Sequence, residues 1–425
     1  MSMPLSRRDL LRGVGGYAAS TTLIPALVPE RGQPGADSAT DRSAPVFPRK
    51  EDFALPAGLT YLNAAYIHPL PRASAEAVRR YTEARLHGRT LTAPDGTSLA
   101  DYVKGQFAAL INADPSEISF VPNTSTGENL VVKGLDIPTS GGNVVTDALH
   151  FEGALLHLQA LKRFFGLDLR IARPRDGRIE MRDLEQLVDR KTRLIEISLV
   201  SMYNGFQHDL KAVCDLAHAY GAYVYADIAQ AAGATPIDVR ATGVDFCACS
   251  SFKWLMGDFG LGFLYVREDL IGRVLRRTQY GYHSARRIQT HVLPYDPPAD
   301  DPVTWELGTD ASAHFEVGSN AYAPMAALSV SLPYLRRLGI ERIEAHRQPL
   351  LDRLRREMPR LGFELLTPPE TKSALITFAV KERQPVLERL QKANIHVRLG
   401  AHFLRVSPSV YNDLRDVDRL LEALS

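Results

Sequence analysis

The chain reads as an α/β protein, with a large domain built on a mainly parallel sheet covered by helices and a smaller α+β domain at the C-terminus. Three observations predict this. From Glu117 onward, short apolar runs alternate with amphipathic stretches of helical length, and strands alternating with helices imply parallel strands covered on both faces and joined by right-handed crossovers. Polar interruptions fall at the ends of those apolar runs, where open α/β sheets bind their ligands. Past Ala321 the pattern changes to a long helical stretch followed by a short mixed series of strands and helices.

Taken in order, Tyr61–Tyr66 is a short strand-like opening closed by Pro69 and Pro71, and Ala73 to Leu86 is helical. Ile118 to Val121 is a strand and Thr124 to Leu135 a helix. Asn143 to Thr146 is a strand and Gly153 to Phe165 a helix. Leu194 to Val200 is a strand, Asp209 to Tyr220 a helix stopped by Gly221, and Ala222 to Ala226 a strand. Two further apolar runs flank Ser250–Trp254. Tyr280 to Thr309 is polar and contains proline, which predicts a long loop of the kind that serves as a lid or interface segment. Ala321 to Glu357 is expected as one long helical stretch. The last domain follows as strand (Ala374 to Val380), helix (Gln384 to Ala393), strand (His396 to Leu399), strand (Leu404 to Val406) and helix (Leu414 to Leu424).

The 425 residues suffice for two domains, expected at 45–320 and 321–425 behind a leader at 1–44. A net charge of +1 offers no electrostatic case for nucleic acid or a membrane surface as partner, which leaves a small molecule or a second copy of the chain. Cys214, Cys247 and Cys249 have neither disulfide-framework nor zinc-site spacing and read as buried small hydrophobes. At the start, Ser6-Arg7-Arg8-Asp9-Leu10-Leu11 precedes a modestly apolar stretch, Gly13 to Val28, and a Pro/Gly/Ser-rich linker. This resembles a twin-arginine signal. It implies an enzyme exported after folding, in the periplasm, with no membrane segment in the mature form.

Lys253 stands between two apolar runs, where an amine can be kept neutral and nucleophilic. Asp227 ends the preceding strand. A lysine and an aspartate at successive strand ends point to pyridoxal 5′-phosphate (PLP): the lysine would condense with the cofactor aldehyde and then shuttle protons, and the carboxylate would keep the pyridine nitrogen protonated. Taken alone, Asp227 is equally a turn residue or helix cap. Thr124 and Ser125 open a helix and would meet the phosphate with hydroxyls and free N–H groups. The same residues also fit a capping box in which Ser125 reaches Glu128. Ser250 would add a phosphate contact. His150 follows a strand, where its ring would stack on the pyridine or simply sit in a loop. Gln230 would donate to the cofactor's phenolic oxygen or cap the next helix.

Four segments resemble the class V aminotransferase family of fold-type I PLP enzymes from about Tyr61 to the C-terminus: Tyr61–Ala65, Asn123–Asn129, Ala226–Gly233 with Pro236 and Asp238, and Ser250–Trp254 followed by Gly260–Tyr265. Lys253-Trp254-Leu255 and Val200–Gly205 look most like isopenicillin N epimerase-type and selenocysteine lyase-like members. The resemblance implies a homodimer with its active site at the subunit interface. It makes Ser319, in Phe315–Ser319, a contact to the neighbouring subunit's phosphate. Arg405, Arg398 and Asn63 become candidates for substrate binding, a guanidinium fork suiting a carboxylate. It also implies an amino acid or peptide-like substrate and, from the family name, an aminotransferase, with an epimerase or a C–S/β-lyase as alternatives. A non-catalytic binding relative would have lost Lys253 or Asp227, and both are present.

Three departures bear on the chemistry. The loop Leu399–Phe403 carries no cysteine where desulfurases of this family have one, so a persulfide-forming desulfurase is not expected. Phe252 stands where desulfurases often have histidine, and His314 where arginine is common.

Overall fold

Residues alternating between two apolar environments build the central sheet. The computed structural model describes residues 45–425, so the leader expected at Ser6–Leu11 lies outside the described residues. Val46–Ser425 forms one unit by its internal contacts. The strand β1 (Thr60–Tyr61) leads to helices α1 (Arg72–Leu86) and α2 (Leu99–Ile111), and then the alternation begins. It runs β2 (Ile118–Val121), α3 (Thr124–Gly134), β3 (Asn143–Asp147), α4 (Glu152–Phe165), β4 (Asp168–Ala172), β5 (Thr192–Ser198), α5 (Leu210–Ala219), β6 (Tyr223–Asp227), β7 (Phe246–Ser250) and β8 (Gly262–Val266). These strands form a seven-stranded sheet in the order β2-β8-β7-β6-β5-β3-β4. The run from β4 through β7 is parallel; β8 is antiparallel to both of its neighbours, β7 and β2.

Both faces are covered, as near-continuous apolar strands require. Val144, Leu194, Tyr225, Phe246 and Leu264 face α3 and α4. Val145, Ile195, Ile197, Val224 and Phe263 face the opposite layer with α2 and α5. Cys247 and Cys249 belong to this second layer with Cys214, and all three are free thiols buried in the core. The Phe107 ring stacks on Phe263 at 3.9 Å between centroids.

The chain then forms an exposed hairpin, β9 (Ala285–Thr290) with β10 (Val303–Leu307). The long loop expected over Tyr280 to Thr309 is therefore partly sheet, because β9 pairs in antiparallel register with residues 13 to 22 places later in the chain, from Thr290 with Val303 to Ala285 with Leu307, a contact that no local pattern announces. The helix expected over Ala321 to Glu357 is two helices, α6 (Tyr322–Leu338) and α7 (Ile340–Glu357). Gly339 lies between them at φ +81°, a conformation that glycine adopts without a Cβ penalty and that ends the first helix. The strand β4 and helix α2 are additions to the sequence reading, as are the short helices Met181–Glu185, Val239–Thr242 and Ala311–Phe315.

The last segment comprises β11 (Ile376–Ala379), α8 (Arg383–Lys392), β12 (Ile395–His396), β13 (Arg398–Leu399), β14 (Phe403–Val406) and α9 (Leu414–Leu424). A small antiparallel sheet, β11-β14-β13, packs its apolar residues with α7, α8 and α9 in a separate cluster that includes Leu350, Leu354, Phe378, Leu404 and Leu420. The opening strand β1 pairs in parallel with β12, which ties the residues before the large sheet to this C-terminal segment. No helix among the described residues is long and apolar enough to cross a membrane.

Candidate functional site

The parallel strands β5, β6 and β7 end together and deliver Ser198, Asp227 and Ser250 to one edge of the sheet. Ser198 lies opposite Asp227, and Asp227 opposite Ala248. These ends line a pocket of about 210 Å³ that opens to solvent. Thr124 and Ser125 from α3, Phe151 from the start of α4, and Phe252 and Lys253 from the turn after β7 complete its walls.

That turn is firmly built. The Ser251 hydroxyl lies 2.6 Å from the Asp258 carbonyl and 2.7 Å from that of Leu261. Trp254 is buried and donates from Nε1 to Gln230 Oε1 at 3.0 Å, while the Arg347 guanidinium lies 5.4 Å from the centre of the Trp254 rings. Gly233, at φ +87°, lets the backbone after β6 approach: a Cβ there would lie 2.5 Å from the Trp254 carbonyl. With both neighbours anchored, the side chain of Lys253 leads into the pocket. Among the described residues no hydrogen bond or ion pair holds its Nζ, which lies 5.8 Å from the centre of the Phe252 ring. Burial lowers the proton affinity of this amine; Asp227 opposes that shift and Arg405 adds to it. An amine held toward neutrality beside a carboxylate is a nucleophile for an aldehyde.

Asp227 is buried and accepts from the Ala229 N–H at Oδ1, 2.8 Å. Its other oxygen is free to meet a ligand. Thr124 and Ser250 pair through their hydroxyls at 3.0 Å, with the Thr124 N–H 3.3 Å from Ser250 Oγ. The helix cap is Asn123, whose side chain accepts from the Thr126 N–H at 2.9 Å. The capping box expected between Ser125 and Glu128 does not form, because Glu128 turns inward to His157. Ser125 is thereby left on the pocket wall at the start of α3.

Five of the candidates do not line the pocket. His150 is fully buried behind it, its Nδ1 2.8 Å from Ser198 Oγ. The aromatic residue on the wall is its neighbour Phe151, and the expectation of a stacking histidine is corrected to this phenylalanine. The reason is local: Asp147 Oδ1 accepts from the Leu149 N–H at 2.7 Å and turns the chain after β3, so that position 150 faces inward and 151 faces the pocket. An aromatic residue immediately before a helix was the available signal. Arg405 lies just beyond the lining and donates to the carbonyl of Met202, a lining residue, at 2.7 Å. Its Nε is buried without a partner among the described residues, and burial with Arg398 nearby lowers its pKa to about 10. Arg398 is exposed, with its guanidinium 4.9 Å from the Tyr66 ring centre. Asn63 bridges to Ser407 through its backbone, and its Oδ1 is buried without a hydrogen bond. Ser319 is remote from this pocket, its hydroxyl 3.0 Å from the Tyr282 hydroxyl on the surface.

Gln230 lines the pocket, yet its amide is engaged. Nε2 donates to the Ala65 carbonyl at 3.0 Å while Oε1 accepts from Trp254. It ties the opening segment to the lysine turn.

The residues present fit PLP. An unpaired amine, a carboxylate with one free oxygen, an aromatic wall and hydroxyls at a helix N-terminus match its aldehyde, ring nitrogen, ring face and phosphate. The Aminotransferase class-V family model matches residues 72–420. A probable cysteine desulfurase of Methanothermobacter thermautotrophicus is 30% identical over 362 residues, covering 83% of this chain and 86% of that protein. Among solved structures, the apo cysteine desulfurase from Thermococcus onnurineus NA1 superposes with a TM-score of 0.77 at 24% identity, covering 89% of this chain and 98% of that one. A C-DES mutant with glycine covalently linked to its PLP cofactor superposes with a TM-score of 0.75 at 24% identity, covering 89% and 99%.

These relatives overturn two expectations: that the enzyme is an aminotransferase, and that a cysteine-free Leu399–Phe403 loop sets desulfurase chemistry aside. The physical reason is that such a loop bears on where sulfur goes.

Proposed function

We propose that this chain, which belongs to the aminotransferase class-V family and takes PLP as its cofactor, breaks the carbon–sulfur bond of a cysteine-class amino acid. The observation that carries the reading is the Lys253 amine, unpaired and held toward neutrality beside Asp227, in a chain 30% identical to a probable cysteine desulfurase over 83% of its length. When bound, the cofactor supplies an electrophilic aldehyde and a ring that accepts electrons. Lys253 Nζ takes the proton from the substrate Cα. Asp227, fixed by the Ala229 N–H, uses its free oxygen to keep a proton on the ring nitrogen. Phe151 packs on the ring face, and Ser125 with the Thr124–Ser250 pair receives the phosphate. Arg405 binds the substrate carboxylate; its unpaired buried Nε is the donor it has to offer.

The test is a product assay on the PLP-loaded protein with L-cysteine and L-cystine. L-Cysteine should give pyruvate, ammonia and sulfide, and L-cystine pyruvate, ammonia and cysteine persulfide; with an added acceptor thiol, L-cysteine should instead give alanine and that thiol's persulfide. Cysteamine, which lacks the carboxylate, should be a poor substrate. Conversion of the cofactor to pyridoxamine 5′-phosphate with a 2-oxo acid and no released sulfur refutes the proposal.

Homodimerisation and export are part of the same reading. The hairpin β9–β10 and its flanks expose Tyr282, Tyr295 and Trp305, an apolar surface suited to a second copy. Ser6–Leu11 addresses the chain to the twin-arginine pathway. A reporter fused behind residues 1–45 should reach the periplasm, and changing Arg7 and Arg8 to lysine should hold it inside. A fusion retained in the cytoplasm with its native leader refutes export.

A further inference from the structure

Behind the pocket, on the α3–α4 side of the sheet, three elements bring acidic and imidazole groups together inside an otherwise apolar layer. Glu196, on β5, is fully buried, and Glu128, on α3, nearly so. Their carboxyl groups face each other within hydrogen-bonding reach. Glu128 Oε1 lies 2.5 Å from Nδ1 of His157 on α4, whose side chain keeps 15% of its surface in solvent. Glu196 Oε1 lies 3.5 Å from His150 Nε2, and His150 Nδ1 lies 2.8 Å from the hydroxyl of Ser198, which lines the pocket. Because the Phe151 N–H donates to Ser198 Oγ at 3.2 Å, the serine hydroxyl is free to donate to His150 Nδ1. That assignment leaves Nε2–H to donate to Glu196 Oε1.

Among the described residues, Glu196 Oε2 then remains buried with no hydrogen-bond partner. Buried polar atoms of this kind have partners, and the side chain in hydrogen-bonding reach of Glu196 is the Glu128 carboxyl. A proton between the two supplies the missing bond. It also avoids two adjacent buried negative charges close to Asp227, an arrangement in which one of two carboxylates sharing a site takes up a proton.

We propose that Glu128 and Glu196 hold a single proton between them directly behind the cofactor pocket, and that this store, reached from solvent through His157 and joined to the pocket wall through His150 and Ser198, sets the charge felt by Asp227. The two glutamates are positioning residues that act through Asp227. The groups facing the pair are His157 and His150, Tyr225 and Asp227 from β6, and, more distantly through His157, Lys133 of α3. Tyr225 remains a neutral donor to the Thr124 carbonyl, since burial raises its pKa well above the ordinary range. Burial raises both glutamates as well, and each carboxyl lies near another negative charge, so the pair gives up its proton as pH rises past about 7.

The sign follows from these directions. The folded state keeps a proton that the unfolded chain has already lost, so stability falls as pH climbs from the ordinary glutamate range through neutrality. The proposal rests on the cofactor reading only for its consequence at Asp227; the shared proton is tested independently of any activity.

Infrared spectra of the PLP-loaded full chain should show a protonated-carboxyl stretch below neutral pH that fades through about pH 7. It should be missing from both Glu196→Gln and Glu128→Gln. In wild type the thermal midpoint should fall across the same window, and in either variant that slope should flatten. The pH midpoint of the cofactor's visible absorbance should move down by about one unit in Glu196→Gln, because the second negative charge can no longer develop. A wild type without the band, or a band that survives in both variants, overturns the proposal. Failure to release sulfur with the band behaving as described would refute the proposed activity and leave the proton store standing.

Discussion

Replacing Lys253 with alanine is expected to lower kcat by at least about 10³-fold, since the change removes both the nucleophile and the base that moves the Cα proton. The fold should survive. The amine has no hydrogen bond or ion pair among the described residues, and its neighbours are held by contacts of their own, Ser251 to the Asp258 and Leu261 carbonyls and Trp254 to Gln230. Burial also disfavours the charged amine, so its removal takes away a group that folding desolvates at a cost. The checks are a thermal melt within a few degrees of wild type and loss of the cofactor's visible absorbance after gel filtration. A variant that still turns over substrate at a tenth of the wild-type rate would sink the assignment of Lys253.

Asp227→Asn should be the second largest effect, a fall in kcat of about 10²–10⁴-fold. Asparagine keeps the shape and can still accept from the Ala229 N–H that Oδ1 meets at 2.8 Å, so the loop after β6 should stay in place. What disappears is the negative charge. Without it the ring nitrogen loses the partner that keeps it protonated, and Lys253 loses the carboxylate that offsets part of its desolvation. Two readouts separate this from a structural defect: the visible absorbance of the bound cofactor should change its pH dependence, and cofactor retention should fall far less than kcat. A rate within tenfold of wild type, with an unchanged absorbance titration, would contradict the role given to Asp227.

Much of the pocket is legible from the chain alone because strand ends are local events. Asp227 and Ser250 each end an apolar run, Lys253 follows three residues later, and Thr124 with Ser125 opens a helix shortly after Val121. In a parallel sheet all such ends lie on one edge, so residues far apart in sequence meet without any further information. The structure brings Lys253, Asp227, Thr124, Ser125, Ser250 and Gln230 to one pocket on that basis. Where the reading went astray, the deciding contact was distant. The hairpin of β9 with β10 depends on register between segments separated by a loop. The aminotransferase expectation failed for another reason: no motif marks which bond beside Cα will break.

The sequence by itself determined the α/β class, the alternation that builds the sheet, the lysine–aspartate pair and the cofactor, because apolar periodicity and the polar residue that ends each strand are properties of short stretches. Tertiary structure alone decided that Phe151 and not His150 faces the pocket, that Arg405 sits beside it while Arg398 faces solvent, and that Glu128, Glu196 and His157 meet in one buried cluster. Each of those outcomes depends on which side of an element faces its neighbour. That side is chosen by packing across the sheet, where a single residue's step along the chain reverses the direction of its side chain.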